Sequence, residues 1–214
     1  MAPALGHDIG DKDAAFVSDT KGADIVPFLY LGAKHMATGY DHLLFVLAVI
    51  LVLQRLRDMI AYVTLFSIGH SLTLLVGVAF EITPDAHIVD AIIGLSVAYI
   101  AFDNLGGFKS VFGVQPNRAL AVYVFGMVHG FGLATSLFAL GLNEQGLIPN
   151  LLAFNVGVEL GQFAVLGATI GLVALARRLP VFLPLGPAAN AAVLTAGFVL
   201  AEYQIAGFFY GRQG

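Results

Sequence analysis

Long apolar runs, separated by short polar connections, fill the chain from residue 27 onward. Each run approaches or exceeds the roughly 20 residues that an α-helix needs to cross about 30 Å of hydrocarbon. Because lipid cannot satisfy backbone hydrogen bonds, helices are the expected structure for such runs. The pattern predicts an all-α, polytopic membrane protein with six transmembrane helices in one bundle. The predicted spans are residues 27–53, 58–80, 87–105, 119–141, 147–176 and 187–210.

The composition agrees with this pattern. Of the 214 residues, 58% are hydrophobic and only 11% are charged, whereas a soluble domain carries about 25% charged residues. The apolar runs follow one another closely, which indicates a single membrane domain at residues 27–214 after a polar, acidic tail at residues 1–26. The tail is not itself a signal peptide, and it is compatible with a mature segment from which one was removed. There is no cysteine, which excludes thiolate ligands, and no basic segment indicates a nucleic-acid partner.

The basic residues of the short connections predict the orientation in the membrane. They occur in the first, third and fifth connections, whereas the second and fourth carry acidic residues instead. The odd-numbered connections are therefore expected in the cytoplasm, which places both termini outside it. We expect a multi-pass protein of the bacterial cytoplasmic membrane. The basic residues are Arg55, Arg57, Lys109, Arg118, Arg177 and Arg178.

Span 1 carries three ionisable side chains inside an apolar run, namely His35, Asp41 and His42. The two histidines are seven residues apart, so they lie two turns apart on one face of a helix, with Asp41 adjacent. An aspartate at such depth costs roughly 2.5–3.5 kcal/mol on insertion scales, and groups of this kind usually face the bundle interior and serve a function. Imidazole and carboxylate together suit a transition metal.

Further polar side chains fall at a similar depth in spans 2, 4 and 5: His70, His129 and Glu159. Together with span 1 they predict a site for Ni²⁺, Co²⁺, Zn²⁺ or Fe²⁺. The predicted ligands are His35, Asp41, His42, His70, His129 and Glu159, and the predicted supporting residues are Ser71, Ser96, Asn155 and Gln162. The alternative is a polar network that only holds the helices together.

Two smaller features refine the prediction. The segment Phe66-x-x-x-His70 in span 2 resembles Phe125-x-x-x-His129 in span 4, and both spans are expected to run in the same direction. Glu202 and Gln204 are candidates for the lining of an outer entrance, or else for interfacial residues. His87 is expected in an outer loop, solvated beside Asp85 and Asp90. Glycines near the polar groups predict close helix packing: Gly39, Gly69, Gly94, Gly126, Gly130, Gly132, Gly157 and Gly161.

Four motifs taken in order resemble those of the HupE/UreJ family of small bacterial membrane proteins. They are His35-x5-Asp41-His42, Phe66-x3-His70-Ser, Phe125-Gly-x2-His129-Gly-x-Gly and Asn155-Val-Gly-Val-Glu159-Leu-Gly-Gln162. The resemblance covers nearly all of residues 25–210 and implies nickel or other transition-metal uptake. Permeases of one branch carry two histidines and a glutamate within one helix. Here span 4 has one histidine and the glutamate lies on the next helix, so the chain resembles the second branch.

Three functions are compatible with this pattern. The first is a permease, with an ion from the acidic outer surface meeting His35 before the deeper ligands, and with uptake falling below about pH 6 as imidazoles become protonated. The second is an intramembrane zinc hydrolase that uses the histidines, a metal-bound water and a carboxylate base. The third is a metal-binding accessory protein. The expected partners are the metal ion and the lipid bilayer, and homo-oligomerisation is left open.

Overall fold

The computed structural model describes residues 17, 20–52, 55–139, 146–176, 178 and 182–211, and all regular structure within these ranges is α-helical. Most of the predicted tail, residues 1–26, lies outside the described residues. The helices are α1 (Ile25–Thr38), α2 (Tyr40–Val52), α3 (Leu56–Ala79), α4 (Ala86–Asn104), α5 (Gly107–Phe112), α6 (Arg118–Ala139), α7 (Leu147–Ala176) and α8 (Phe182–Gly211).

Five of these helices, α3, α4, α6, α7 and α8, are long and apolar enough to cross a membrane. Their bounds agree with predicted spans two to six to within a few residues. The short helix α5 was not predicted and forms part of the connection between α4 and α6. The prediction of an all-helical, multi-pass membrane protein is therefore confirmed at this level.

The first predicted span is not one continuous helix, and the prediction is wrong on that point. Helix α1 ends at Thr38, Gly39 is extended (φ −68°, ψ 105°), and α2 begins at Tyr40. A Cβ atom on Gly39 would lie 2.9 Å from His42 Nδ1 and 3.0 Å from Asp41 Oδ1. Glycine at the break therefore leaves room for these two side chains. With 13 residues, α2 is about 20 Å long and too short to span hydrocarbon alone.

The helices other than α2 and α5 pack mainly as three pairs, and glycines allow their backbones to approach closely. In the α1–α7 pair, a Cβ atom on Gly157 would overlap the Leu29 carbonyl, and one on Gly161 would lie 2.7 Å from the Ala33 carbonyl. The residue numbers of both helices rise together along the contact. The two helices are therefore parallel.

The second pair, α3–α6, is also parallel. A Cβ atom on Gly126 would overlap the Phe66 carbonyl, and one on Gly130 would overlap the His70 carbonyl. The two helices that carry the similar Phe-x-x-x-His segments thus lie side by side and run in the same direction, as predicted.

The third pair, α4–α8, is antiparallel. A Cβ atom on Gly94 would lie 2.7 Å from the Ala201 nitrogen, whereas Asn104 near the end of α4 donates to Asn190 Oδ1 near the start of α8. Among the described helices, α2 contacts α1, α3, α4, α7 and α8. Its apolar side chains are at most 3% exposed from Phe45 to Ile50, apart from the half-buried Leu47. Helix α2 is therefore the central element of the bundle.

Candidate metal site

Four histidines from four helices meet at the first turn of α2. The ring centroid of His42 lies 5.2 Å from that of His35 on α1, 5.8 Å from that of His70 on α3 and 5.0 Å from that of His129 on α6. His42, His70 and His129 are at most 1% exposed, and His35 is half-buried. His35 and His129, which are 94 positions apart in the chain, thus both lie next to His42.

Within the described residues, Asp41, His42 and His129 form a group that could hold a metal ion. One ligand atom from each lies within 4.8 Å of the others. Ligands that share an ion through bonds of about 2.0–2.2 Å are at most about 4.4 Å apart. Small side-chain rotations would therefore bring the three atoms to bonding distance. Asp41 is 2% exposed, so its carboxylate is buried like the imidazoles of His42 and His129.

The hydrogen bonds of His42 and His129 define which ring nitrogens carry lone pairs. The Asp41 carboxylate can only accept, so His42 donates through Nδ1 to Asp41 Oδ1 at 3.1 Å, which leaves the lone pair on Nε2. The Ser96 hydroxyl donates to the Ile93 carbonyl at 2.7 Å. It therefore accepts from Nε2 of His129 at 3.2 Å, which leaves the lone pair of that ring on Nδ1. Fixing a tautomer through the second ring nitrogen is the usual way in which proteins orient metal-binding histidines.

The helix break places two helix ends at the same site. The positive end of the α2 dipole faces Asp41 in its first turn, whereas His35 lies in the last turn of α1, next to the negative end. At the end of α1, the Gly39 N–H donates to the His35 carbonyl at 2.9 Å. The break thus places the Asp41 carboxylate at the positive end of α2 and the His35 imidazole at the negative end of α1, and each position stabilises the charged form of that side chain.

The predicted supporting residues occupy different places. Ser96 contacts His129, as described above. Gln162 accepts from Ser67 at 2.7 Å and donates to the Val63 carbonyl at 2.9 Å, so it connects α7 with α3. Asn155 is 7% exposed, and its amide atoms have no hydrogen-bond partner within the described residues. Ser71 is half-buried on α3, next to His70 in the chain.

The structure does not bring Glu159 to the cluster. This residue is exposed on the outer surface of α7, with the exposed Leu160 and Phe163 close to it in the chain. The apolar residues of α7 are distributed around the whole helix, so they do not indicate which side faces the bundle. The sequence predicts Glu159 inside the bundle from its depth in span 5, because a carboxylate facing lipid is costly, and from the motif that it shares with Asn155 and Gln162.

A second buried polar group was missed in the sequence. The expectation that His87 is solvated in a loop is wrong: it lies in the first turn of α4, and its Nδ1 donates to Gln204 Oε1 of α8 at 2.8 Å. Gln204 in turn donates to Asp90 Oδ2 at 3.1 Å. The signal for this group was the spacing of His87 and Asp90, three residues apart on one helical face.

The fold and the site define a polytopic α-helical membrane protein with a buried histidine–aspartate cluster suited to a transition metal. The family model described as HupE / UreJ protein matches residues 11–212. The chain therefore belongs to the HupE/UreJ family, which is associated with metal uptake or accessory functions in bacterial membranes. Searches of curated proteins and of solved structures give no match.

Proposed function

We propose that the protein takes up a divalent transition-metal ion across the bacterial cytoplasmic membrane through the buried cluster. The observation that carries the proposal is the convergence of Asp41, His42 and His129 within 4.8 Å at a helix break in the centre of the bundle. In transporters, discontinuous helices near the bilayer midplane commonly form the ion site. His35 and His70, whose rings flank His42, would complete the set of ligands.

The helix directions support six membrane crossings. If α1 and α2 together form one broken span, successive spans alternate in direction. Alternation makes α1 and α7 parallel, α3 and α6 parallel, and α4 and α8 antiparallel, which are the directions that the glycine contacts give. In this arrangement the connections rich in Lys and Arg face the cytoplasm, and both termini lie outside.

The donor set favours a borderline metal. Neutral imidazole with one or two carboxylates suits Ni²⁺, Co²⁺, Zn²⁺ or Fe²⁺, whereas Cu⁺ prefers sulfur ligands. Asp41 supplies a negative charge that offsets part of the cost of moving a divalent ion into the bundle. The metal here is the cargo, so binding has to be reversible from both sides of the membrane.

The same donors would also suit a zinc hydrolase, which needs histidine ligands, a metal-bound water and a nearby carboxylate. A cavity that reaches Asp41 measures about 10 Å³, the space of about one water molecule. This volume suits the passage of a small ion better than the binding of a lipid or peptide substrate. An accessory function would give metal binding without either uptake or hydrolysis.

Uptake into proteoliposomes tests the proposal. Purified wild type should accumulate Co²⁺ inside the vesicles, whereas His42→Ala and His129→Ala should reduce the initial rate at least about tenfold, since each removes an imidazole ligand. His7→Ala is the matched control, because it removes a histidine of the N-terminal tail. Equal rates in all four proteins would contradict transport through the cluster.

A further inference from the structure

Helix α4 carries three polar side chains between its N-terminal end and the cluster. His87 lies in the first turn, Asp90 three residues on, and Ser96 contacts His129 at the cluster. Because the helix rises 1.5 Å per residue, Asp90 lies about 9 Å along the axis before Ser96. The order along α4 is therefore His87, Asp90 and then the cluster.

Asp90 and Gln204 are buried, at 5% and 3% exposure, so neither is an ordinary surface residue. Gln204 lies between His87 and Asp90. Its carbonyl accepts from His87 and its amide nitrogen donates to Asp90. All three side chains carry atoms that cations bind: an imidazole nitrogen, an amide oxygen and a carboxylate.

A small cavity lies between this group and the cluster and borders both. It measures about 10 Å³ and is lined by Tyr40, Asp41, Asp90, Ile93, Gly94, Leu200 and Gln204. Asp41 is a member of the cluster, whereas Asp90 and Gln204 belong to the group nearer the helix end. Two carboxylates on different helices thus border one water-sized space, which makes that space favourable for positive charge.

We propose that Asp90, Gln204 and His87 form an outer site for a divalent cation, from which the ion reaches Asp41 and the cluster through this cavity. The proposal rests on the proposed function for its direction of transport, but not for the existence of the second site. It also revises the predicted entrance. The ion would approach between α4 and α8, and Gln204 would have to move aside for it to pass.

Glu202 provides a matched control within the same helix. It lies two residues from Gln204 but is exposed, so it is not part of the buried group. Asp90→Asn and Glu202→Gln each remove one negative charge and preserve the size of the side chain. In Asp90→Asn the new amide oxygen still accepts from Gln204, so the α4–α8 contact is retained.

The first measurement is the number of Co²⁺ ions bound by the full-length protein in detergent, which does not depend on transport. Wild type and Glu202→Gln should bind one ion tightly and a second ion weakly. Asp90→Asn should keep the tight ion and lose the weak one. The same stoichiometry in wild type and Asp90→Asn would overturn the proposal, and so would loss of the tight ion in Asp90→Asn.

The second measurement is the rate of Co²⁺ uptake into proteoliposomes as a function of external Co²⁺. Asp90→Asn should raise the KM about tenfold, whereas Glu202→Gln should leave it within twofold of wild type. An unchanged KM in Asp90→Asn would overturn the outer site while leaving transport through the cluster intact. If wild type binds two ions but transports none, the proposed function fails and the outer site stands.

Discussion

Two aspartates, Asp41 and Asp103, are almost equally buried but have different partners. Asp103, near the end of α4, accepts from Arg118 Nη2 at 2.6 Å and from Gln115 Nε2 at 2.6 Å. Asp41 lies at the helix break and pairs with the imidazole of His42. Asp41 is 2% exposed and Asp103 is 5% exposed, so burial alone does not distinguish them.

The difference lies in the permanence of the positive charge. A guanidinium is always protonated, so the negative charge of Asp103 is balanced by the protein itself. An imidazole, in contrast, can lose its proton and offer a lone pair to a cation. Under the proposed function the Asp41 region receives a cation, whereas Asp103 forms an ion pair with Arg118 at the opposite end of α4.

The largest effects are expected when each aspartate is replaced by asparagine and both metal affinity and stability are measured. Asp41→Asn should weaken Co²⁺ binding about 100-fold or more, since it removes the charged ligand, while the new amide oxygen can still accept from His42. Its thermal midpoint should change little. Asp103→Asn should lower stability by about 2–4 kcal/mol, because it leaves a partly buried Arg118 without its counter-charge, and Co²⁺ affinity should stay within twofold.

Binding by absorption spectroscopy and thermal unfolding of the same preparations measure both effects. Arg118→Ala combined with Asp103→Asn is the control, because the double variant removes both charges and should recover part of the lost stability. If Asp41→Asn lost stability rather than affinity, the two regions would both be structural.

The helix break gives a second, smaller effect. Gly39→Ala would place a Cβ atom against His42 Nδ1 and Asp41 Oδ1, so we expect this pair to shift and Co²⁺ affinity to fall about tenfold. The fold should persist, because the two nearest atoms are ends of side chains and the nearest backbone atom, the His35 carbonyl oxygen, would lie 3.1 Å away. Gly167→Ala is the control, since a Cβ atom there meets nothing within 4 Å. Equal affinities in the two variants would show that the break does not shape the site.

Ser96→Ala should have a more modest effect of about three- to tenfold on Co²⁺ affinity. The variant removes the acceptor that fixes the tautomer of His129, and loss of such an outer partner weakens metal sites. Thr195→Ala serves as the control, because Thr195 bonds only within α8 among the described contacts. An unchanged affinity would mean that His129 does not depend on Ser96 for its orientation.

The smallest effect is expected for Glu159→Gln. Because Glu159 is exposed on α7, removing its charge should change Co²⁺ affinity less than twofold in the isolated chain. The oligomeric state of the variant is measured in the same preparation, since a carboxylate at this depth is costly when it faces lipid. A large loss of affinity without a change of oligomeric state would return Glu159 to the site.

Much of the fold could be predicted from the sequence, because apolar length decides whether a helix spans hydrocarbon. Spans two to six agree with the helices for that reason. The break at Gly39 could not be predicted in the same way, since a single glycine in an apolar run is common in membrane helices. Its role depends on the side chains that pack against it.

The candidate site shows the same division. Polar residues at a common depth identified His42, His70 and His129, whose rings the structure brings together. Depth does not give the direction in which a residue points, so the sequence predicts Glu159 as a ligand although the structure has it exposed. The contact of Gln204 with Asp90 joins residues 114 positions apart, and no local pattern indicates such a pair.

X-ray absorption at the cobalt edge of the Co²⁺-loaded, full-length protein tests the central claim most directly, because it reports the atoms bound to the ion. We predict a first shell of nitrogen and oxygen that includes scattering from at least two imidazole rings, with one of them lost in His42→Ala. A shell of oxygen alone, identical in wild type and His42→Ala, would contradict the account.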